Sequence, residues 1–272
     1  MMSELTKPAF RYAYHDGIRI AYRDHAGPEP ALVFVHGYRM HGGIWDDVVA
    51  ALAPGRYRTV AVDLRGNGGS DRPSSGYSLP DLAGDVMAVV AAAGLERPVL
   101  VGHSMGGTVV QFLMAEHPDR WTGAVLVAPV PASGVDLPPE VVDTFRRSVH
   151  DEEVLRQLYA GSVAPGTHVV DRLVALSSTA SRQAAEQSLD TWRLAAFADR
   201  LAGSRVPTLV VAGAYDGLFS RDFLAETLLP RLSRARLVTA EGAGHFVPLE
   251  APATLARLIE SFVADVTSSA GP

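Results

Sequence analysis

The 272 residues, 47% hydrophobic and 20% charged, suffice to bury a large core without disulfide or metal staples. Absence of cysteine excludes a disulfide framework, a thiolate nucleophile and a Cys-ligated metal. A net charge of −6, with acids and bases interspersed, offers no basic stripe for nucleic acid.

No apolar run approaches the roughly 18 residues of a membrane span. Met1 to Phe10 lacks the apolar segment of a secretory signal, so a soluble cytoplasmic protein is expected, with no membrane partner. Oligomeric state stays open. The length fits one large α/β domain carrying an insertion better than two independent domains.

Taken in chain order, Phe10 to Tyr14 and Ile18 to Tyr22 alternate about His15-Asp16-Gly17, a hairpin signal. After Pro30 the pattern changes. Ala31 to Val35 is a continuous apolar run, as a strand buried on both faces of a parallel sheet requires. Similar runs follow at Arg58 to Val62, Pro98 to Val101, Ala124 to Ala128, Thr208 to Ala212 and Arg236 to Thr239. Helical stretches separate several of them: Gly43 to Leu52, Leu79 to Ala93, Thr108 to Glu116 and Arg221 to Leu229. Ser78 with Asp81 reads as a helix N-cap followed by an acidic first turn. A last helix opens at Pro252 and aligns Leu255, Leu258, Ile259, Phe262, Val263 and Val266, with a frayed tail after Thr267. The alternation predicts an α/β fold: a doubly wound, mostly parallel sheet of about eight strands with an antiparallel hairpin at its start.

One region interrupts the alternation. From about Pro129 to Leu201 there is no convincing strand, and helical patterns cover Glu140 to His150, Glu152 to Tyr159, Val169 to Leu176 and Arg182 to Arg200. We read residues 129–201 as a helical lid inserted into a core formed by residues 1–128 and 202–272. The lid's Phe145, Tyr159, Trp192 and Phe197 suggest an apolar pocket, and hence a small, weakly charged, hydrophobic ester- or lactone-like substrate. Trp192-Arg193 is expected to pack on the helix surface rather than to touch substrate.

Gly102-His103-Ser104-Met105-Gly106 lies between a predicted strand and a predicted helix, the context that gives a G-x-S-x-G pentapeptide its chemical meaning. A strand-to-helix turn that tight strains the serine backbone, and Gly102 and Gly106 leave room that side chains would fill. A serine hydroxyl is a poor nucleophile at neutral pH and needs a base, which in turn needs an orienting acid. Asp216 follows the run Thr208 to Ala212, and His245 follows the run ending at Thr239, both on glycine-containing turns at C-terminal strand ends. The chain has nine histidines. Of these only His245 combines that position with a place after Ser104; His117, His150 and His168 fall in helix or lid. The developing oxyanion needs two donors: the Met105 backbone N–H, at a helix N-terminus, and the Tyr38 backbone N–H, after His36-Gly37. His36 is expected to stiffen its loop. Arg65-Gly66-Asn67-Gly68-Gly69-Ser70 lacks the Lys-Ser/Thr of a phosphate loop and reads as a structural turn, with Asp63 and Arg65 bracing neighbouring loops.

These motifs, with Gly213 to Asp216 and Gly244-His245, resemble the α/β-hydrolase fold superfamily from about residue 10 to residue 266. The similarity is greatest to its lid-bearing branch of esterases, enol-lactonases, C–C bond hydrolases and cofactor-free haloperoxidase-type perhydrolases. Ser104 separates the chain from epoxide hydrolases and haloalkane dehalogenases of this fold, which carry aspartate there. The loop His36-Gly37-Tyr38-Arg39 departs from the glycine-rich version of the C–C hydrolases. The resemblance implies cleavage of a carboxylic ester or lactone through Ser104, His245 and Asp216, without metal or organic cofactor. Perhydrolysis or C–C bond cleavage is the alternative, and a non-catalytic small-molecule receptor a more distant one.

Overall fold

The computed structural model describes residues 9–268. Most of the N-terminal stretch read for a leader, and the tail beyond Ser268, lie outside these residues. Eight strands form one sheet in the order β1-β2-β4-β3-β5-β6-β7-β8. They are β1 (Arg11–His15), β2 (Ile18–His25), β3 (Leu32–Val35), β4 (Thr59–Val62), β5 (Val99–His103), β6 (Gly123–Val127), β7 (Thr208–Gly213) and β8 (Ala235–Ala240). β1 and β2 pair antiparallel, with His15 opposite Ile18 across the Asp16-Gly17 turn, and β2 joins β4 antiparallel. The remaining neighbours from β4 to β8 run parallel. The doubly wound, mostly parallel sheet and its opening hairpin are as expected.

Strand period and burial account for the layers. Side chains alternate faces along a strand, and here both faces are covered. Val33, Val35, Leu100, Leu126 and Val210 enter one core with Val86 and Val89 of α2 (Leu79–Ala92) and Val109 and Leu113 of α3 (Met105–Glu116). Leu32, Phe34, Val101, Val125 and Leu209 enter the other with Val48 of α1 (Asp46–Ala51) and Leu255, Ile259 and Phe262 of α11 (Pro252–Ser268). Ser78 closes a capping box with Asp81 at the start of α2.

Helix ends differ from the sequence expectation where turns tighten. Residues 43–52 divide into a 3₁₀ turn, Gly42–Trp45, and α1, because the His41 side chain caps the turn from outside. α3 begins at Met105, three residues earlier than its apolar periodicity suggests, because the turn after β5 leads into it without a loop.

Between β6 and β7 lie α4 (Pro139–Arg147), α5 (Glu152–Ala160), α6 (Val170–Ser177), α7 (Arg182–Arg193) and α8 (Ala198–Leu201). The single helix expected over residues 182–200 breaks after Arg193, and Phe197 N–H turns back to Ala132 O at 3.0 Å. The segment bonds to loops at the C-terminal strand ends: Ser181 N–H to Gly66 O (2.8 Å), Thr191 Oγ1 to Tyr77 O (2.7 Å) and Tyr38 Oη to Ala185 O (2.8 Å). α9 (Arg221–Leu228) lies between β7 and β8, and α10 (Val247–Glu250) follows β8 and leads into α11.

Asp63 and Arg65 brace loops as expected. Asp63 accepts from Gly42 N–H at 2.7 Å and Gly69 N–H at 2.8 Å. Arg65 bonds the fully buried Asp85 through Nε and through Nη2 at 2.6 Å, and donates to Gly76 O at 2.9 Å. Removing one partner of such a pair strands a buried charge, at a cost of about 3–5 kcal/mol. His36 stiffens its loop as expected: Nε2 accepts from Leu64 N–H at 3.0 Å, which leaves Nδ1–H to donate to Gly37 O at 2.8 Å. That pairing requires a neutral ring.

Burial lowers the pKa of His36 from 6.5 to about 4, and burial with the nearby His245 lowers that of His103 to about 3. Both folded values lie below the unfolded one, so the unfolded chain binds more protons in acid. The stability these rings contribute is fully present above about pH 6.5 and is lost as pH falls towards the folded values, at about 1.4 kcal/mol per pH unit for each ring. Urea unfolding at about pH 7 and about pH 5 will show a lower midpoint in acid, and an unchanged midpoint would show that the rings are not held neutral.

Candidate active site

β5 runs into α3 through Ser104, whose backbone stands at φ 52°, ψ −120°. A non-glycine residue there is strained by about 1–3 kcal/mol. The geometry is held from both sides: Ser104 N–H bonds Val127 O at 3.0 Å, and Ser104 O accepts from Gly107 N–H at 2.8 Å. The two flanking glycines are required by close approach. A Cβ on Gly102 would stand 2.5 Å from Gly106 O, and one on Gly106 would stand 2.4 Å from Val35 O. The Ser104 side chain is thereby lifted off the end of the sheet.

The structure brings Ser104, His245 and Asp216 together. His245 Nε2 is 3.0 Å from Ser104 Oγ, and His245 Nδ1 is 2.8 Å from Asp216 Oδ2. Asp216 Oδ1 accepts from Leu218 N–H at 3.1 Å and Phe219 N–H at 2.9 Å, which fixes the carboxylate plane. Burial works against the charge on Asp216. The His245 imidazole and these hydrogen bonds outweigh it and hold the carboxyl below its usual range. An ionised carboxylate only accepts, so Nδ1 carries the histidine proton and Nε2 faces the serine hydroxyl as an acceptor.

Tyr38 lies in the loop after β3, and Met105 opens α3 directly after Ser104. Neither backbone N–H is taken up by a backbone acceptor among the described residues. The Tyr38 phenol is engaged elsewhere, on Ala185 O. The Met105 side chain is buried in the core.

Above Ser104 is a cavity of about 250 Å³. Phe145, Leu155, Leu158, Tyr159, Trp192, Phe219 and Phe246 supply most of its apolar wall. Trp192 was expected on the helix surface. It is instead 3% exposed, set edge-on against Tyr38 and Phe145, because α7 turns its apolar face down onto the cavity. Arg193 stays outside and bonds Asp190.

Three contributors escaped the sequence reading. His103 Nε2–H donates to His245 O at 2.9 Å, steadying the loop that carries the imidazole. Glu250, on α10, accepts from Gly244 N–H (3.0 Å), Phe246 N–H (2.9 Å) and Ala164 N–H, so one carboxylate clamps both sides of His245 and the loop after α5. Arg39 lines the cavity. The position of His103 beside the serine was a signal for the first; Glu250 reaches two partners within six residues, but its third, Ala164, lies 86 residues away and is brought in by folding. Among the described residues no group of three or more His, Asp or Glu is gathered as a metal site would need.

The family model of the alpha/beta hydrolase fold matches residues 30–186. A non-heme haloperoxidase of Rhodococcus erythropolis is 32% identical over 248 residues, covering 85% of this chain and 90% of that protein. A bifunctional esterase/perhydrolase of Acinetobacter calcoaceticus is 27% identical over 268 residues, covering 91% and 97%. The solved structure of an N-acyl homoserine lactone degrading enzyme is 28% identical with a TM-score of 0.81, covering 93% of this chain and 100% of that one. The chain is an enzyme of the hydrolase class and belongs to the α/β-hydrolase fold family.

Proposed function

We propose that this enzyme cleaves a carboxylic ester or lactone by acyl transfer through Ser104. The observation that carries this reading is the continuous chain of contacts from Ser104 Oγ to His245 Nε2 (3.0 Å) and from His245 Nδ1 to Asp216 Oδ2 (2.8 Å), at the floor of a cavity. Ser104 attacks the carbonyl while His245 takes the hydroxyl proton, and Asp216 holds the ring in the tautomer that can do so. The Tyr38 and Met105 amides bind the oxyanion that forms. His245 then passes its proton to the leaving oxygen, and water repeats the sequence to release the acid. In the same reading residues 129–201 act as a lid that keeps bulk water from the acyl-enzyme.

A second acceptor is favoured by the relatives, which include a haloperoxidase and an esterase/perhydrolase. Hydrogen peroxide attacking the same acyl-enzyme would release a peracid and regenerate the serine, using no group beyond those named. Supplying peroxide with a short-chain ester will divert part of the acyl flux to peracid, detected by bromide oxidation. Formation of acid alone would restrict the enzyme to hydrolysis.

Ser104→Ala will lower turnover of p-nitrophenyl butyrate by at least about 10³-fold, and Asp216→Asn by about 10⁴-fold through loss of the tautomer, as in serine proteases. Wild-type rates in either variant would refute the assignment. In kcat/KM the acid limb will fall with the slope of a single proton, because Asp216 is held below its usual range and does not add a second proton there. A profile flat through the acid range would remove His245 from the role of base.

A further inference from the structure

The cavity above Ser104 is apolar in most of its wall, and two charged side chains interrupt it: Asp216 and Arg39. Asp216 is fully engaged, with one oxygen on His245 and the other on two backbone amides. Arg39 is not. Its Nη1 donates to Ser148 O at 2.8 Å and to Ser148 Oγ at 3.2 Å, both neutral acceptors. Its Nε is covered from water and has no hydrogen-bond partner among the described residues. With Nη1 committed, the unpaired edge of the guanidinium is the one formed by Nε and Nη2, the edge on which a carboxylate docks side-on through two parallel hydrogen bonds.

Two further observations point the same way. Trp192 Nε1–H, on another residue of the same cavity, is also buried without an acceptor. Tyr159 Oη and His103 Nδ1, on the same cavity, are likewise without a partner among the described residues, and a buried donor left unpaired costs about 1–3 kcal/mol, more when it is charged. Arg39 moreover sits at φ 57°, a left-handed position that an arginine occupies only under strain. That strain sits at a residue adjoining Tyr38, the oxyanion donor of the proposed mechanism.

We propose that Arg39 receives a carboxylate of the substrate, so that the enzyme acts on short esters or lactones bearing an anionic group in addition to the bond that is cut. This names the substrate class within the acyl-transfer reading and rests on it for turnover, not for binding. The apolar wall then holds the carbon chain between the two ends.

Matched monomethyl and dimethyl esters of succinate, glutarate and adipate supply the test. They differ in one charge at nearly constant size. For the wild-type enzyme the half-ester will be preferred over the diester in kcat/KM for at least one chain length. In Arg39→Met that preference will fall by about 10–100-fold, chiefly through KM, and Arg39→Lys will retain part of it. Equal losses on half-ester and diester, or a wild-type preference for the diester, would overturn the proposal. Calorimetric binding of the same half-esters to Ser104→Ala separates this from a failure of the ester chemistry. Binding that weakens at least about 10-fold in Ser104→Ala/Arg39→Met sustains the anion site even if no ester is turned over. Half-esters that bind Ser104→Ala no better than diesters would refute it. Should Arg39→Met not fold, as judged by circular dichroism, the Arg39→Lys comparison decides by the same criteria.

Discussion

The site is organised around one strained turn. Ser104 occupies a backbone conformation that an L-residue avoids, and it does so because both its amide and its carbonyl are already committed, to β6 on one side and to the first turn of α3 on the other. A penalty of about 1–3 kcal/mol is small beside the burial of β5, whose five residues are fully covered on both faces. The neighbouring backbones then approach so closely at residues 102 and 106 that no side chain fits. Rigidity at this point gives the rest of the site a fixed reference.

His245 and Asp216 reach that point from strands at the far edge of the sheet, and their aim depends on loops that the sheet alone does not fix. The loop after β8 is tied from three directions: Glu250 from α10, His103 from β5, and Ser162 O, which accepts from His245 N–H at 2.7 Å. The last of these belongs to the segment between β6 and β7. That segment therefore does more than cover the cavity. It contributes Leu155, Tyr159 and Leu173 to one core and Leu189, Trp192 and Phe197 to the other, so its displacement would expose both.

Charge is distributed unevenly over the cavity. The acid is spent on the imidazole, while the guanidinium of Arg39 meets only neutral oxygens. Behind Ser104 the buried polar groups of α3 are paired: Gln111 donates to Val130 O and accepts from Ala132 N–H, and Thr108 Oγ1 donates to Val130 O. Among the described residues, unpaired buried polar atoms occur on four cavity residues, Arg39, His103, Tyr159 and Trp192, and also on Arg23, Trp45 and Asn67 away from it.

Sequence alone determined the sheet, its hairpin and the three side chains that meet, because each was written in local terms. Apolar runs of strand length, glycines flanking a serine, and polar residues on turns at strand ends all act over a few residues. Helix limits near residues 43, 105 and 193 were missed because capping and packing, not periodicity, set them. The inward face of Trp192, the Glu250 bond to Ala164 and the Arg39 bond to Ser148 join residues far apart in the chain, 86 residues for Glu250 and 109 for Arg39. Such pairings carry no local signature. They exist only once folding has spent the hydrogen-bonding capacity of every other group and left these few directed at the same space.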